Sequence, residues 1–289
     1  MRLVTYECRG IVSLGKIVGD QIVDLPRTDP LLPSTMLALL HAGPAAWHRA
    51  RALTPGNSVT VPQADVRLLA PVPNPSKYLA IGMNYAKHVK ESTELGFTMP
   101  ESQVWFNKQV SCINGPYDPV HMPFVSEQLD YEVELCVVIG KRCRHVKAAD
   151  ARSVIAGYMV CNDFTVRDWQ MRSPTMTVGK SFNTTGPIGP WIVTDDEIAD
   201  PHVLKMRLLV NGETRQEDTT GGMVNNIFQQ IEHLSTAFTL EPGDLIATGT
   251  PSGVGIAMKP PRWLKVGDVV RAEIEQIGFI ENRIVAEPT

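Results

Sequence analysis

The sequence Leu-Asp-Tyr-Glu-Val-Glu-Leu-Cys-Val-Val-Ile-Gly occupies residues 129–140 and decides the fold that we expect. Its second half is a run of apolar and β-branched residues that ends in glycine, which is typical of a buried strand. Side chains on a strand alternate between its two faces, so Glu132 and Glu134 share one face. That face continues with Cys136 and Val138, and the opposite face carries Tyr131, Val133, Leu135 and Val137.

Glu132 and Glu134 would stand side by side at the mouth of this strand. Two such carboxylates repel each other, and the burial of each costs desolvation energy. A divalent cation between them would remove both costs. Carboxylate oxygens are hard ligands, so the pattern favours Mg²⁺, Mn²⁺ or Ca²⁺ over zinc. The alternative is a solvent-facing strand end whose glutamates contribute only to solubility.

The composition is that of an ordinary globular protein, with 289 residues, 43% hydrophobic and 20% charged. The net charge is −4 and there is no basic tract, so we do not expect binding to nucleic acid or to an anionic membrane. The sequence predicts no secretory signal and no membrane-spanning segment. The five cysteines lack a Cys-x-x-Cys spacing, which argues against structural zinc and disulfides and indicates a cytoplasmic location.

The chain divides into two predicted parts. Residues 1–25 alternate in short bursts and predict an antiparallel meander, which is followed by a helix capped at Ser34 and a second helix over 45–53. Pro71, Pro73 and Pro75 form a stiff, extended run. We therefore predict a small α+β N-terminal domain at residues 1–71 and a larger domain, mainly β with some α, at residues 72–289.

A short helix after the predicted strand at 77–82 carries His88 and Glu91 three residues apart, on one face. A carboxylate beside an imidazole raises its basicity and fixes its orientation, which suits a general base. The alternative is a solvated helix face, since His-x-x-Glu alone is weak evidence.

A second buried strand runs from about residue 155 into Asn162 and Asp163, where we expect a helical turn to begin. Asp163 is either the N-cap of that turn or a third carboxylate at a strand end. Arg167 follows one helical turn later and Gln170 three residues beyond it. Arginine is suited to clamping a carboxylate with two hydrogen bonds.

Gly179-Lys180-Ser181 invites comparison with a phosphate-binding loop, but the first glycine of that motif is replaced by Pro174. Lys180 is therefore expected to be a free cation near a turn, either a surface lysine or a substrate contact. The sequence contains no Gly-x-Ser-x-Gly, so serine-hydrolase chemistry lacks its usual signature.

Together these segments resemble the fumarylacetoacetate hydrolase superfamily. The matching motifs occur in the order of that family and span roughly residues 72–286. They are Gly82-x-Asn84-Tyr85-x-x-His88-x-x-Glu91, Asp130-Tyr131-Glu132-Val133-Glu134-Leu135, Asn162-Asp163-Phe164-Thr165-x-Arg167-Asp168-x-Gln170, Gly179-Lys180-Ser181-Phe182 and Gly249-Thr250-Pro251.

The resemblance implies a mixed β-sandwich roll for the larger domain and a homodimer. It implies one Mg²⁺ or Mn²⁺ per subunit held by Glu132, Glu134 and Asp163, and a water-activating dyad of His88 and Glu91 on a lid. It also implies that Lys180, Arg167, Gln170 and Thr250 hold substrate oxygens, and that Lys180 is a catalytic residue that stabilises developing oxyanion charge. The additional upstream aspartate ligand of the namesake hydrolase has no obvious counterpart, so the chain resembles the bacterial three-carboxylate branch of acylpyruvate and fumarylpyruvate hydrolases.

The implied reaction is metal-dependent hydrolysis of the C3–C4 bond of a 2,4-dioxo acid to pyruvate and a carboxylic acid, in the catabolism of aromatic compounds or sugar acids. Oxaloacetate-type decarboxylation, 2-oxo acid isomerisation and sugar-acid dehydration use the same metal and stay open as alternatives, as does a non-catalytic metal-stabilised binding module. Residues 92–103 of the lid are expected to choose the substrate, and the methionine and Phe97 there favour an apolar acyl end.

Overall fold

The computed structural model describes residues 1–96, 98 and 101–289. The described strands are β1 Arg2–Cys8, β2 Ile11–Val18, β3 Gln21–Asp24, β4 Thr60–Pro62, β5 Arg67–Leu69, β6 Tyr78–Gly82, β7 Val104–Asn107, β8 Ile113–Asn114, β9 Val120–Met122, β10 Leu129–Asp130, β11 Val133–Ile139, β12 Ile155–Asn162, β13 Thr165–Val166, β14 Gly186–Thr194, β15 Lys205–Val210, β16 Glu213–Thr219, β17 Leu245–Ala247, β18 Val269–Ile274 and β19 Gly278–Ala286. The described α-helices are α1 Leu25–Thr28, α2 Met36–His41, α3 Gly43–Ala52, α4 Ala86–Glu94, α5 Arg167–Gln170 and α6 Ile227–Ala237.

Strand β11 lies inside a 12-stranded mixed sheet whose main path runs β4-β3-β2-β1-β14-β12-β11-β17-β6-β7. Every residue of β11 is buried, as a strand covered on both faces requires. A second sheet of five strands has the order β16-β15-β18-β19-β9, and β10 pairs with β13 as a separate short ribbon. The prediction of a mainly β sandwich roll with some helix is confirmed.

The two faces of β11 belong to two different hydrophobic cores. Val133, Leu135 and Val137 pack into the core between the large sheet and the five-stranded sheet, where they meet side chains of β15, β18, β19 and α6. Cys136 and Val138 point the other way, into a core that contains Leu39 and Leu40 of α2 and residues of α3. The predicted alternation of this strand is therefore present in the structure.

The N-terminal segment is joined to the rest of the molecule by backbone pairing as well as by packing. The predicted meander is formed by β1, β2 and β3, and β1 pairs with β14 through Arg2↔Val193 and Leu3↔Ile192. Leu3 and Leu14 share a core with Ile188 and Ile192 of β14. The division into domains at residues 71 and 72 stays a prediction, although one sheet runs through both parts.

Three local predictions need correction. The helix that was predicted to be capped at Ser34 is α2, and the side chain of Thr35 caps it instead. No helix begins at Asp163, because residues 165 and 166 form β13 and pair with β10, so α5 begins only at Arg167. The predictions for the lid residues Phe97 and Met99 lie outside the described residues. Among the described residues, no helix is long and apolar enough to cross a membrane.

Candidate active site

Glu132, Glu134 and Asp163 converge where β11 begins and β12 ends. The two strands are antiparallel, with Val133 opposite Asn162 and Glu134 opposite Cys161, so Asp163 leaves its strand beside the two glutamates. One oxygen from each of the three carboxylates lies within 4.8 Å of the other two, and all three residues are buried. The structure thus brings together the three predicted metal ligands.

The pKa values of the two glutamates are shifted in opposite directions. Burial alone would raise the pKa of Glu132, but the cations of Lys180 and Arg167 outweigh it and lower that pKa to about 2. Burial raises the pKa of Glu134 well above its ordinary value, and the nearby Cys161, Asp163 and Glu132 raise it further. Glu134 is therefore the carboxyl group of the three that lacks sufficient positive charge.

Lys180 is not the free cation near a turn that the sequence analysis expected. Its ammonium is buried and lies 2.8 Å from Glu132 Oε2 and 2.8 Å from Asp163 Oδ2. A buried ammonium between two carboxylates stabilises both of their charges. Lys180 also lines the cavity described below, so it can contact a small ligand.

Arg167 and Gln170, the predicted substrate contacts, are hydrogen-bonded to each other, and Arg167 also contacts the carboxylates of Asp130 and Glu132. Arg167 Nε donates to Asp130 Oδ2 at 2.8 Å, and its Nη1 donates to Gln170 Oε1 at 3.0 Å. Arg167 Nη2 lies 2.8 Å from Glu132 Oε1, but outside hydrogen-bond geometry, so this contact is an ion pair. Burial alone would lower the pKa of Arg167, and the carboxylates of Asp130 and Glu132 reverse the effect and raise it.

Helix α4 places His88 and Glu91 in contact, as their spacing predicts. His88 Nδ1 lies 2.9 Å from Glu91 Oε2, and Glu91 Oε1 accepts a 2.9 Å hydrogen bond from the backbone N–H of Gly253. The carboxylate thus connects α4 to the loop at residues 248–257. Because Nδ1 of His88 faces Glu91, Nε2 is the ring nitrogen left to exchange a proton with a ligand.

The loop at residues 248–257 supplies backbone N–H groups to three acidic side chains. Besides the bond from Gly253 to Glu91, Gly249 N–H donates to Glu134 Oε2 at 2.7 Å and Gly255 N–H donates to Asp130 Oδ1 at 2.7 Å. Gly249 has a φ of +96°, and a Cβ there would lie 2.8 Å from Asn84 Cβ, so glycine is required. The loop therefore fixes the orientation of the carboxylates.

Thr250 has little hydrogen-bonding capacity left for a substrate through its hydroxyl. Its Oγ1 donates to Val133 O at 3.0 Å and accepts from Gln216 Nε2 at 2.8 Å. Gln216 also accepts the N–H of Val133 at 3.0 Å, so it ties the loop to β11. Thr250 itself lines the cavity described below, as a substrate contact would.

A cavity of about 140 Å³ opens onto this cluster. Its polar lining consists of predicted site residues and Ser92, while its apolar lining includes Met83, Leu95, Val104 and Phe106. The predicted residues that line it are His88, Glu91, Glu132, Arg167, Gln170, Lys180 and Thr250. All nine predicted site residues are thus assembled at one place, and the roles assigned to them stay predictions.

Four buried polar residues that hold the site together were not predicted from the sequence, namely Asn84, Lys108, Asp130 and Gln216. Asn84 and Asp130 fall inside the quoted motifs, which was a usable signal. Asn84 binds Thr248 O and Asn225 O, and so joins the start of α4 to the loop. Lys108 follows the sequence Trp-Phe-Asn, and nothing in that context distinguishes it from a surface lysine.

The donor set fits a hard divalent cation. Three carboxylates converge, and the buried Glu134 has a raised pKa that a cation would lower again. The buried groups of the site include more acidic than basic side chains. Four of them can carry a negative charge (Asp130, Glu132, Glu134 and Asp163), and three can carry a positive one (Lys108, Arg167 and Lys180). A dication would change this balance from −1 to +1, which favours the binding of an anionic ligand.

Comparisons with known proteins agree with this geometry. The family profile described as fumarylacetoacetate (FAA) hydrolase C-terminal matches residues 77–285. The chain is 42% identical to the mitochondrial oxaloacetate tautomerase Fahd2a of Rattus norvegicus over 290 residues, which covers 99% of this chain and 92% of that protein.

Two solved structures are also similar over nearly the whole chain. Fumarylacetoacetate hydrolase from Exiguobacterium antarcticum has a TM-score of 0.87 and 34% identity, and the match covers 99% of this chain and 100% of that one. Maleylpyruvate hydrolase from Sphingobium sp. SYK-6, solved with manganese(II) ion and pyruvate, has a TM-score of 0.84 and 33% identity, with complete coverage of both chains.

Proposed function

Because the chain belongs to the fumarylacetoacetate hydrolase family, we propose that it is a divalent-metal-dependent enzyme that interconverts the keto and enol forms of oxaloacetate or a closely related 2-oxo acid. The observation that carries this proposal is a buried triad of carboxylates that opens into a small cavity beside a histidine–glutamate pair. The rat relative, an oxaloacetate tautomerase, supports the choice of reaction.

The size of the cavity supports a small substrate. Pockets for drug-sized ligands usually measure about 300–1,000 Å³, whereas this cavity measures about 140 Å³. Its polar end carries Lys180 and Arg167, which suit the carboxylate of a short acid. Mg²⁺ or Mn²⁺ held by Glu132, Glu134 and Asp163 would supply a Lewis acid for the carboxylate and the adjacent 2-oxo oxygen.

The protein's own residues supply the proton transfers of the proposed reaction. Enol formation needs a base that takes a proton from C3 and an acid that gives one to the 2-oxo oxygen. His88 lies on the cavity wall with Nδ1 fixed by Glu91, so its Nε2 is assigned to the proton on C3. Lys180 reaches the same cavity from the carboxylate cluster and is assigned to the oxygen.

The test is a keto–enol assay on oxaloacetate that follows the ultraviolet absorbance of the enol. Metal-stripped protein is compared with protein supplied with Mg²⁺ or Mn²⁺, and the spontaneous rate is subtracted. We expect metal to accelerate the approach to equilibrium, and Glu134→Gln to abolish this acceleration. Full activity in excess EDTA would contradict the proposal, and so would an absence of any catalysed interconversion with either metal.

Hydrolysis of a C–C bond in a 2,4-dioxo acid, which the sequence analysis placed first, is the second candidate. It is favoured by Glu91, which accepts from Gly253 while it holds His88, an arrangement suited to activating a water molecule. The similarity to maleylpyruvate hydrolase supports it too. Release of pyruvate from a panel of acylpyruvates, with oxaloacetate decarboxylation measured in parallel, distinguishes this candidate from tautomerisation.

A further inference from the structure

Lys108 is a buried cation that no prediction for the site used. It follows β7, and its backbone N–H bonds to Tyr78 O at 2.9 Å. Its side chain is fully buried. A lysine is buried in this way only when its ammonium is fully hydrogen-bonded.

All three N–H groups of the Lys108 ammonium have acceptors in the site. Nζ donates to Asp163 Oδ1 at 2.6 Å, to Thr185 O at 3.3 Å and to the backbone carbonyl of Lys180. These three hydrogen bonds fix the ammonium of Lys108 in one position.

The two oxygens of Asp163 are held by two different lysines. Lys108 takes Oδ1, and Lys180 lies against Oδ2, on the side that faces Glu132. Lys108 also binds the main chain of Lys180, so it positions both members of that second pair. Lys108 is absent from the described lining of the cavity, so it is placed to act on Asp163 and Lys180 and not on the substrate.

We propose that Lys108 is a positioning residue for the metal site: by holding Oδ1 of Asp163 it leaves Oδ2, on the side that faces Glu132, to be shared between Lys180 and the cation. This inference rests on the proposed metal-dependent function. It predicts that Lys108 strengthens metal binding although its charge has the same sign as the metal. Loss of an outer-sphere partner of a metal ligand typically costs about 10–100-fold in metal affinity.

The experiment measures the Kd of Mn²⁺ by isothermal titration calorimetry on metal-stripped protein, for the wild type and for Lys108→Met. We expect the Kd of Lys108→Met to rise about 10–100-fold. The matched control is Lys77→Met, which removes another lysine bonded to a buried aspartate, Asp244, at 2.7 Å. The control is expected to lower Tm and to leave the Kd for Mn²⁺ unchanged.

The outcomes separate the possible roles. A lower Kd in Lys108→Met would mean that Lys108 acts only by charge repulsion, and an unchanged Kd with a lower Tm would mean a merely structural role; either result overturns the inference. If Lys108→Met does not fold, Lys108→Gln retains N–H donors without the charge, and its Kd must still exceed that of the wild type. A wild-type protein that binds no Mn²⁺ would overturn the proposed function as well.

Discussion

Glu132 and Glu134 are two residues apart, yet the structure surrounds them with different charges. Glu132 has Lys180 and Arg167 within 2.8 Å, whereas Glu134 accepts a hydrogen bond from the backbone of Gly249 and faces the two other carboxylates. A buried carboxyl group without a cation is costly in its charged form. Glu134 is thus the residue whose environment a bound dication would change most.

Replacement of Glu134 by glutamine should therefore leave the metal-free protein at least as stable as the wild type, and should make the protein with saturating Mn²⁺ less stable than the wild type. Glutamine keeps an oxygen for the N–H of Gly249 and removes a crowded acid, so the metal-free variant should melt at the same temperature as the wild type or higher. Saturating Mn²⁺ should stabilise the wild type by about 2.7 kcal/mol at 100 times its Kd. It should barely stabilise Glu134→Gln.

Differential scanning fluorimetry with and without Mn²⁺ measures both effects. Glu241→Gln, which alters a partly exposed acid paired with Arg142, serves as the control and should respond to Mn²⁺ like the wild type. Equal stabilisation of Glu134→Gln and the wild type by Mn²⁺ would show that Glu134 is not a ligand.

His88 and Glu91 should affect proton transfer and not metal binding, because neither contacts the three carboxylates in the structure as described. General acid–base catalysis typically contributes about 10²–10⁴-fold to a rate. His88→Ala should lower kcat for keto–enol interconversion by about that factor, and hydrolysis of an acylpyruvate, if present, by a similar amount. Glu91→Gln should lose less, since the imidazole remains.

Decarboxylation of oxaloacetate provides the contrast, because loss of carbon dioxide needs no proton removed beforehand. It should survive in His88→Ala far better than the other two reactions. The measurement is kcat for each reaction at saturating Mg²⁺, together with the Kd for Mn²⁺. Unchanged tautomerisation in His88→Ala would remove the histidine from the mechanism.

At the scale of elements, the loop at residues 248–257 organises the site, since its backbone binds Glu134, Glu91 and Asp130. Gly253 has a φ of +102°, and a Cβ there would lie 2.0 Å from Arg215 O. Gly267 has nearly the same φ, +101°, but a Cβ there would meet nothing within 4 Å. Alanine substitutions at the two glycines therefore distinguish the cost of backbone strain, which both share, from the cost of a steric clash, which only Gly253 has.

Gly267→Ala should cost only the strain of an alanine at positive φ, about 1–2 kcal/mol in free energy of unfolding. Gly253→Ala should cost more, since the backbone must move away from Arg215 and carry the Gly253 N–H away from Glu91. Urea denaturation gives the two free energies, and kcat should fall in Gly253→Ala alone. Equal losses in both variants would mean that the contact with Arg215 is not restrictive.

The elements show how far sequence reasoning extends. The alternation of β11 and the spacing of His88 and Glu91 follow from local periodicity, so both were predictable. For Asp163 the sequence left two alternatives, a helix N-cap and a third carboxylate at a strand end, and the structure shows the second, since residues 165 and 166 pair with β10. Lys108 meets Asp163, a residue 55 positions away, and only the tertiary fold determines that contact. The glycines of the loop at residues 248–257 can be read from the sequence, but the carboxylates that their N–H groups bind cannot.

At the scale of the whole molecule, two predictions from the sequence concern the oligomeric state of the protein and its location in the cell. The homodimer and the cytoplasmic location both stay predictions, and sedimentation analysis of the purified protein tests the first. Exposed apolar side chains such as Phe124 and Met171 lie on the described surface. Such side chains are common on monomers, so they do not decide the oligomeric state.

The final prediction concerns the N-terminal 71 residues, which the sequence suggests are a domain of their own. Their strands continue the large sheet through the pairing of β1 with β14. Their helices α2 and α3 cover the face of β11 that carries Cys136 and Val138. Removal of residues 1–71 would expose that apolar face and leave β14 with an unpaired edge.

A fragment of residues 72–289 should therefore aggregate or lack a cooperative thermal transition, although it includes all nine predicted site residues. Co-expression of residues 1–71 as a separate chain should restore folding, because the missing contacts are pairing and packing contacts that need no covalent link. Circular dichroism, size-exclusion chromatography and Mn²⁺ titration of the fragment, the mixture and the full chain measure this. A fragment that melts cooperatively and binds Mn²⁺ as tightly as the full chain would instead establish residues 72–289 as an independent domain, with the N-terminal segment dispensable for the site.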